Sequence, residues 1–416
     1  MHKPRSLMGR APSPPRSPSP VERPSNHKLV GRASSPPSRI LVITGSRAEF
    51  GLLRPVLRAI TKTPSLTLRL CVAGEHLIAG TIKDVAKEFT IDHRAAMQRP
   101  ADRDRLDHAR AFALGTARFA TILADEQPTW VVVLGDRVEA FAAATAAAVA
   151  GIPICHIHGG DRAEGIADEA MRHAITKLAH LHCAASKQSA ARLRKLGEPA
   201  RRVVLTGSPA LDDIQPHHSQ PIAVDTRLCA VVLLHPGGFA GHEAKAARSA
   251  VLAAQQLCQS RPPGSHAQVL LPNSDPGRDD ITTTYHTLER TLAKSGQVHF
   301  CKHHRNREDF LNLLATLRNN RGVLIGNSSA GLIEAAALGV PVVNLGQRQA
   351  GRERPKNVLQ CNALTASGIL AAARRAIARK PKPDRRFGDA HAGERIAMLL
   401  ARGPAAYGPV TKHNSY

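Results

Sequence analysis

Eleven short apolar runs, separated by stretches of helical length, constrain this chain more than any other feature. They are RILVIT (39–44), TLRLCVAG (67–74), WVVVLGD (130–136), PICHIHGG (153–160), LHCAAS (181–186) and VVLTGS (203–208), then LCAVVLLHP (228–236), QVLLPNSD (268–275), VHFCKHH (298–304), GVLIGNSS (322–329) and PVVNLG (341–346). Runs that are apolar at nearly every position belong to strands covered on both faces. Joined through helical stretches such as 138–150 and 331–339, they predict parallel sheets. Eleven units exceed what one doubly wound sheet usually carries, and 209–227 (PALDDIQPHHSQPIAVDTR) is polar and Pro-bearing, as a linker would be. The expected fold is α/β, with two Rossmann-like doubly wound parallel-sheet domains facing across a cleft. The expected divisions are an N-terminal domain over 39–215, a C-terminal domain over 216–375, and a terminal helix with a loose end over 376–416.

Residues 1–38 have a different texture, with nine Pro, many Ser, and seven Lys or Arg against one Glu. Such a segment buries too little apolar surface to offset its ordering entropy, so a disordered basic tail is expected. It carries no apolar core of a secretory leader. The whole chain of 416 residues has 57 Lys+Arg against 33 Asp+Glu, a net charge of +24. That balance favours anionic partners. Aromatic residues make up only 3%, which leaves few stacking platforms for single strands, and no zinc-finger, RRM-like or basic-zipper spacing is present. An anionic small substrate fits the charge without nucleic acid. Seven scattered Cys, odd in number and never spaced CxxC, are expected to be reduced and buried, which points to the cytoplasm. No window is apolar enough to span a membrane.

In open parallel sheets, ligands bind beyond the carboxyl ends of the strands, so the polar residues after each run are the functional candidates. TGSRAEFG (44–51) is a small-residue turn leading to Arg47 and a helix start. Backbone amides beside a guanidinium suit phosphate, although a plain turn with a surface Arg fits equally. GDRVEA (135–140) places Asp136 and Arg137 at a strand tip; Asp136 is either a helix cap or a proton-transfer group beside a bound anion. CHIHGGDRAEGIADEAMRHAITKLAHLH (155–182) crowds His156, His158, Asp161, Glu164, Asp168, Glu169, Arg172 and His173 around a Gly-Gly turn. Polar catalysis, a salt-bridged structural helix and a zinc site all remain open there. Against zinc, His156 and His158 alternate on a strand and point to opposite sides.

In the second half, LLHPGG (233–238) brings His235 to a strand tip, and Asn273 and Asp275 of PNSDPG stand where they could reach a ligand. GNSSAG ends a buried run in small residues, where amides and the hydroxyls of Ser328 and Ser329 can hold phosphate. Glu334 follows, placed to accept hydrogen bonds from ribose hydroxyls. Arg348, Arg352 and Arg354 come after the next run as an anion clamp. This half predicts a nucleoside diphosphate site.

TGSRAEFG, GDRVEA, HIHGGD with DEAMRHAITKLAH, TGSPALD, HP, PNSD, GNSSAGLIEA and VPVVNLGQRQAGR occur in the order and approximate spacing of the hydrolysing UDP-N-acetylglucosamine 2-epimerases, which serve sialic acid and related nonulosonic acid synthesis. The resemblance spans about residues 39–360. It implies a GT-B fold closing on a UDP-sugar, with anti elimination of UDP across C1 and C2 and then water addition to give the 2-epimeric free sugar. Asp136 and Asp168 map onto catalytic carboxylates, and His235 onto a cleft histidine near the diphosphate. Arg47, Arg172, Ser328, Ser329, Glu334 and Arg348 map onto contacts to UDP and sugar phosphate. Arg137, Asp161, His173, Asn273 and Arg352 complete the expected substrate-binding set.

Two departures stand out. Family members of the HIEGGE type carry a catalytic Glu where this chain has His158, and a second Glu where it has Asp161. The following loop is one residue longer and brings in Glu164. The HIHGG form resembles a subgroup acting on di-N-acetylated 6-deoxy UDP-sugars, with either His158 or Glu164 replacing the carboxylate. No cofactor and no metal are expected. The expected partners are a UDP-sugar and further copies of the chain, not nucleic acid or a membrane. A GT-B glycosyltransferase, a UDP-sugar sensor and a nucleic-acid-binding protein are the rival readings.

Overall fold

Two wholly parallel sheets organise the chain, each with its strand succession reversing once. The computed structural model describes residues 36–100, 105–162, 169–214, 218, 227–237, 239, 241–273, 277–292, 295–301 and 307–412. The first sheet holds β1 (Ser38–Thr44), β2 (Leu66–Ala73), β3 (His93–Ala95), β4 (Trp130–Leu134), β5 (Ile154–Ile157), β6 (Leu181–Ala184) and β7 (Val203–Leu205), in the order β3-β2-β1-β4-β5-β6-β7. Its helices are α1 (Arg47–Lys62), α2 (Glu75–Ile78), α3 (Ile82–Ala86), α4 (Arg105–Glu126), α5 (Val138–Val149), α6 (Glu169–Leu178) and α7 (Lys187–Lys195). The second sheet holds β8 (Leu228–Leu233), β9 (His266–Leu270), β10 (Val298–Cys301), β11 (Val323–Gly326), β12 (Val342–Leu345) and β13 (Val358–Cys361), in the order β10-β9-β8-β11-β12-β13. Around it lie α8 (Glu243–Gln259), α9 (Arg278–Leu292), α10 (Arg307–Asn319), α11 (Glu334–Leu338) and α12 (Ala366–Ala378), followed by α13 (Ala392–Ala401).

Alternate residues of one strand feed opposite faces, which is why the central runs are apolar throughout. Ile40, Val42, Trp130 and Val132 pack under α1 and α13, whereas Leu41, Ile43, Val131 and Val133 pack under α4 and α5. In the second sheet, Ala230 and Val232 face α8 and α12, and Val231 and Leu233 face α10 and α11.

All eleven predicted runs contain strands, and every strand except β1, which runs through Thr44, stops short of the end of its run. Two strands were not foreseen. β3 is three residues long and polar, and β13 has four residues; both lie at sheet edges, where little burial is needed. The stretch 331–339 is helical only over α11, after a 3-10 turn at Ser329–Gly331.

The chain end corrects another expectation. Ile396 and Leu400 of α13 lie in the first sheet's core, and Asp212 accepts from the amides of Ala392 (3.0 Å) and Gly393 (2.6 Å) at the helix start. A Cβ on Gly393 would meet the Pro55 carbonyl at 2.7 Å, so only glycine permits that approach to α1. Beyond it, the Tyr407 hydroxyl donates to Leu399 O and its ring meets Trp130 edge-on at 6.0 Å. Lys412 donates to Glu198 at 2.7 Å. The segment expected to be loose from 403 is therefore docked as far as 412, because its carbonyls and its lysine meet side chains some 200 residues earlier. The predicted disordered tail falls almost wholly on residues 1–35, and the chain end on 413–416, outside the described residues.

Candidate active site

Strand order reverses between β1 and β4, and again between β8 and β11, and at such switch points the loops diverge and leave a crevice. The first reversal selects Gly45–Arg47 and Gly135–Arg137. Ser46 caps α1, its Oγ accepting from Glu49 N (3.4 Å), while the Glu49 carboxylate accepts from Gly45 N (2.6 Å), a reciprocal arrangement of the capping-box kind. At the β4 tip, Arg137 takes the N-cap position of α5, so Asp136 is not the cap. Asp136 instead accepts a hydrogen bond from Arg172 Nη2 of α6. Arg172 is only 2% exposed, and its Nε has no hydrogen-bond partner among the described residues. Burial alone would push this guanidinium down, but Asp136 and then Asp161 outweigh it and hold it above its ordinary value.

Arg137 bridges Glu75 (3.2 Å) and the fully buried Glu139 (3.3 Å), and Arg47 lies 3.8 Å from Asp84. Burial, and then Glu139, push the Glu49 carboxyl up to about 8. His76 is pushed down to about 4, chiefly by burial. None of Glu49, Glu139 or His76 was singled out in the sequence. Two of them stand inside TGSRAEFG and GDRVEA, which was the available signal.

Within β5, His156 Nε2–H donates to Gly135 O (2.7 Å) and ties the β5 and β4 tips together; burial pushes its ring down to about 3. His158 takes a left-handed φ of 64°. Its Nδ1 lies 2.8 Å from Asp161 Oδ2 and its Nε2 2.9 Å from Ser208 Oγ. The connectivity is that of a Ser-His-Asp triad, but Ser208 is fully buried and its Oγ accepts from Ala210 N, so the serine caps a 3-10 turn. Asp161 also accepts from Ser189 Oγ at 2.7 Å. Burial raises Asp161, yet His158, with Arg352 and Arg172, holds it well below the usual carboxylate range. With 5% exposure and a side-chain contact on each ring nitrogen, His158 is built into the loop. Glu164 and Asp168 lie outside the described residues. His173 pairs with Glu169 at 3.4 Å along α6. Among the described residues no group of three or more His, Cys, Asp or Glu is placed to hold a metal.

The second reversal selects His235 and the GNSS turn. Asn327, fully buried, clamps them: its Oδ1 accepts from His235 N (2.7 Å), and its Nδ2 donates to His235 O (2.9 Å) and Gly237 O (3.3 Å). Its own carbonyl accepts from Gln349 Nε2 (2.9 Å) and Arg348 Nη1 (3.3 Å). Asn273 N–H donates to His235 Nδ1 at 3.2 Å, which places the proton of the neutral ring on Nε2. Asp275 lies outside the described residues. Ser328 Oγ accepts from Ala330 N as the cap of the 3-10 turn, and Ser329 opens that turn. The amides expected at a helix N-terminus therefore sit on one short 3-10 turn. Glu334 is the first residue of α11 and pairs with Arg307 at 3.1 Å.

The two halves meet through the loop after β12. Arg352 Nε donates to Arg162 O (3.0 Å), and Ser186 Oγ donates to Glu353. Arg354 is exposed. Burial and the nearby Arg172 push Arg352 down to about 10, opposed by Asp161 and Asp136. An arginine of the second lobe thus stands in the field of both first-lobe carboxylates. The arrangement pairs one oriented acid, Asp136, with converging guanidinium donors, which suits proton transfer beside a phosphate ester.

The described architecture matches solved structures. Over 88% of this chain and 100% of the other, it superposes on the Neisseria meningitidis UDP-GlcNAc 2-epimerase, crystallised with UDP-GlcNAc, with a TM-score of 0.71 at 18% identity. A Legionella pneumophila protein named UDP-N,N'-diacetylbacillosamine 2-epimerase (hydrolyzing) is 33% identical over 400 residues, 91% of this chain and 99% of that one. A Neisseria meningitidis UDP-N-acetylglucosamine 2-epimerase is 30% identical over 77% of this chain and 83% of its own. The family model for UDP-N-acetylglucosamine 2-epimerase matches residues 58–401. The two parallel sheets are of GT-B type, and the chain belongs to the UDP-N-acetylglucosamine 2-epimerase family.

Proposed function

We propose that this chain is a hydrolysing 2-epimerase that converts a UDP-N-acetyl-hexosamine to UDP and the free 2-epimeric sugar. The carrying observation is Asp136, held by the buried Arg172 and within the electrostatic reach of the second lobe's Arg352. A carboxylate takes the C2 proton, the C1–O bond breaks on the opposite face and UDP departs, leaving a 2-acetamidoglucal. Water then adds its hydroxyl at C1, and a proton returns to C2 from the other side. Asp136 and Asp168 share the two proton transfers, each worth about 10²–10⁴-fold. Arg348, Arg172 and the turn amides take up the charge on the departing diphosphate, while His235 donates from Nε2. The engagement of both His158 nitrogens favours Glu164 as the replacement for the family's missing carboxylate. The Legionella relative and the HIHGG form together favour a di-N-acetylated 6-deoxy substrate.

The test is incubation in deuterated water, without an acceptor, with UDP-GlcNAc and separately with UDP-N,N'-diacetylbacillosamine. Free UDP and a 2-epimeric sugar deuterated at C2 are expected, with faster turnover of the diacetylated substrate. Release of an intact UDP-2-epimer would overturn the hydrolytic reading. Inertness until an acceptor is added would favour the glycosyltransferase.

A further inference from the structure

Arg307, the first residue of α10, belongs to no motif that drew attention in the sequence, and its side chain is 11% exposed. Its Nη2 donates to Glu334 Oε1 (3.1 Å) and to Ala210 O (2.5 Å), and its Nε lies 3.3 Å from Asp213 Oδ2, an ion pair without hydrogen-bond geometry. Asp213 is in turn paired through Oδ1 with Arg58 of α1 at 3.3 Å. A chain of charges therefore runs from α1 through the TGSPALDD segment, where the polypeptide leaves the first lobe, to a carboxylate beside the GNSSAG turn. Glu334 is 5% exposed, and its Oε2 makes no hydrogen bond among the described residues. One oxygen is pinned and the other is left over.

We propose that Arg307 is a positioning residue for nucleoside recognition: anchored on the interlobe segment, it fixes the Glu334 carboxylate so that its second oxygen accepts from a ribose hydroxyl. The inference rests on the proposed contact between Glu334 and ribose. A planar guanidinium can serve Glu334, Asp213 and a carbonyl at once, which a lysine ammonium on a flexible stem does less well. A carboxylate with one oxygen held loses less freedom on accepting the second bond.

The experiment measures calorimetric affinity of the full chain for UDP, 2′-deoxy-UDP and 3′-deoxy-UDP, in wild type, Arg307→Gln, Arg307→Lys and Glu334→Gln, with melting curves to establish folding. Wild type should prefer UDP over one deoxy analogue by roughly tenfold, as for a charge-assisted hydrogen bond. Glu334→Gln should bring that ratio close to one. Arg307→Gln should lower it at least threefold, with Arg307→Lys in between, and KM should rise more than kcat falls. If Arg307→Gln weakens UDP and its deoxy analogue equally while Glu334→Gln abolishes the preference, the positioning role is overturned and Arg307 is merely structural. If Glu334→Gln leaves the preference intact, the ribose contact itself is wrong, and the proposal goes with it. Should Arg307→Gln not fold, the Arg307→Lys ratio decides.

Discussion

The two sheets share a strand order yet present opposite chemistry at their reversal points. The first lobe's tips carry titratable groups that hold one another: Asp136 with Arg172, Arg137 with Glu75 and Glu139, and His158 with Asp161. The second lobe's tips are built mostly from neutral amides and hydroxyls, Asn327, Asn273, Ser328 and Gln349, with Arg348 added and the Arg307–Glu334 pair beside them. One topology therefore supports both a site where proton affinities are tuned and a site where an anion is cradled. The side chains at the tips, not the fold, make the difference.

That contrast predicts that first-lobe substitutions move kcat and second-lobe substitutions move KM. The largest effect is expected for Asp136→Asn, which should lower kcat by about 10²–10⁴-fold with a smaller change in KM; it also leaves the buried Arg172 without its carboxylate, so the melting temperature should fall as well. A KM effect alone would break the division. Next, Glu164→Gln should cost roughly 10²-fold in kcat, whereas His158→Asn should chiefly lower stability, by about 1–3 kcal/mol. Steady-state rates set beside melting curves separate the two, and the reverse pattern would return His158 to catalysis.

In the second lobe, Asn327→Leu leaves the His235 backbone groups unpaired, at roughly 1–3 kcal/mol for each. KM should rise at least tenfold while kcat changes less, as initial-rate kinetics would reveal.

Smaller effects concern pH. Folded Glu49 keeps its proton up to about 8, whereas an unfolded Glu releases it near 4.5. The folded state binds more protons in that window, so stability falls as pH rises from 4.5 to 8. Glu49→Gln should flatten this decline in a series of thermal melts. Glu198 has the opposite sign. Burial raises it, but His182 and then Lys412 bring it down to about 2, so its contribution is present above 4.5 and lost as pH falls toward 2. Lys412→Met should soften that acid limb, a shift of a few degrees at most.

The strand runs, the two-sheet architecture and the motifs at the strand tips were legible because burial on both faces demands apolar residues at every position. Which partner each tip residue takes was not. GDRVEA permits Asp136 as a helix cap, and only the approach of α6 hands it to Arg172. HIHGG permits a titrating histidine, and only the left-handed turn at His158 brings Asp161 to one nitrogen while Ser208 arrives on the other. Arg307 carried no local signal, because its partners lie 94 to 97 residues before it and 27 after it.

Sequence by itself determined the parallel sheets, the family and the places where polar groups gather, since periodicity and local motifs are properties of neighbouring residues. Tertiary structure alone decided which charges neutralise one another, which histidines lose their nitrogens to the scaffold, and that the last helix completes the first lobe. Those outcomes depend on distances of about 3 Å between residues far apart along the chain, and on burial that strengthens each such contact.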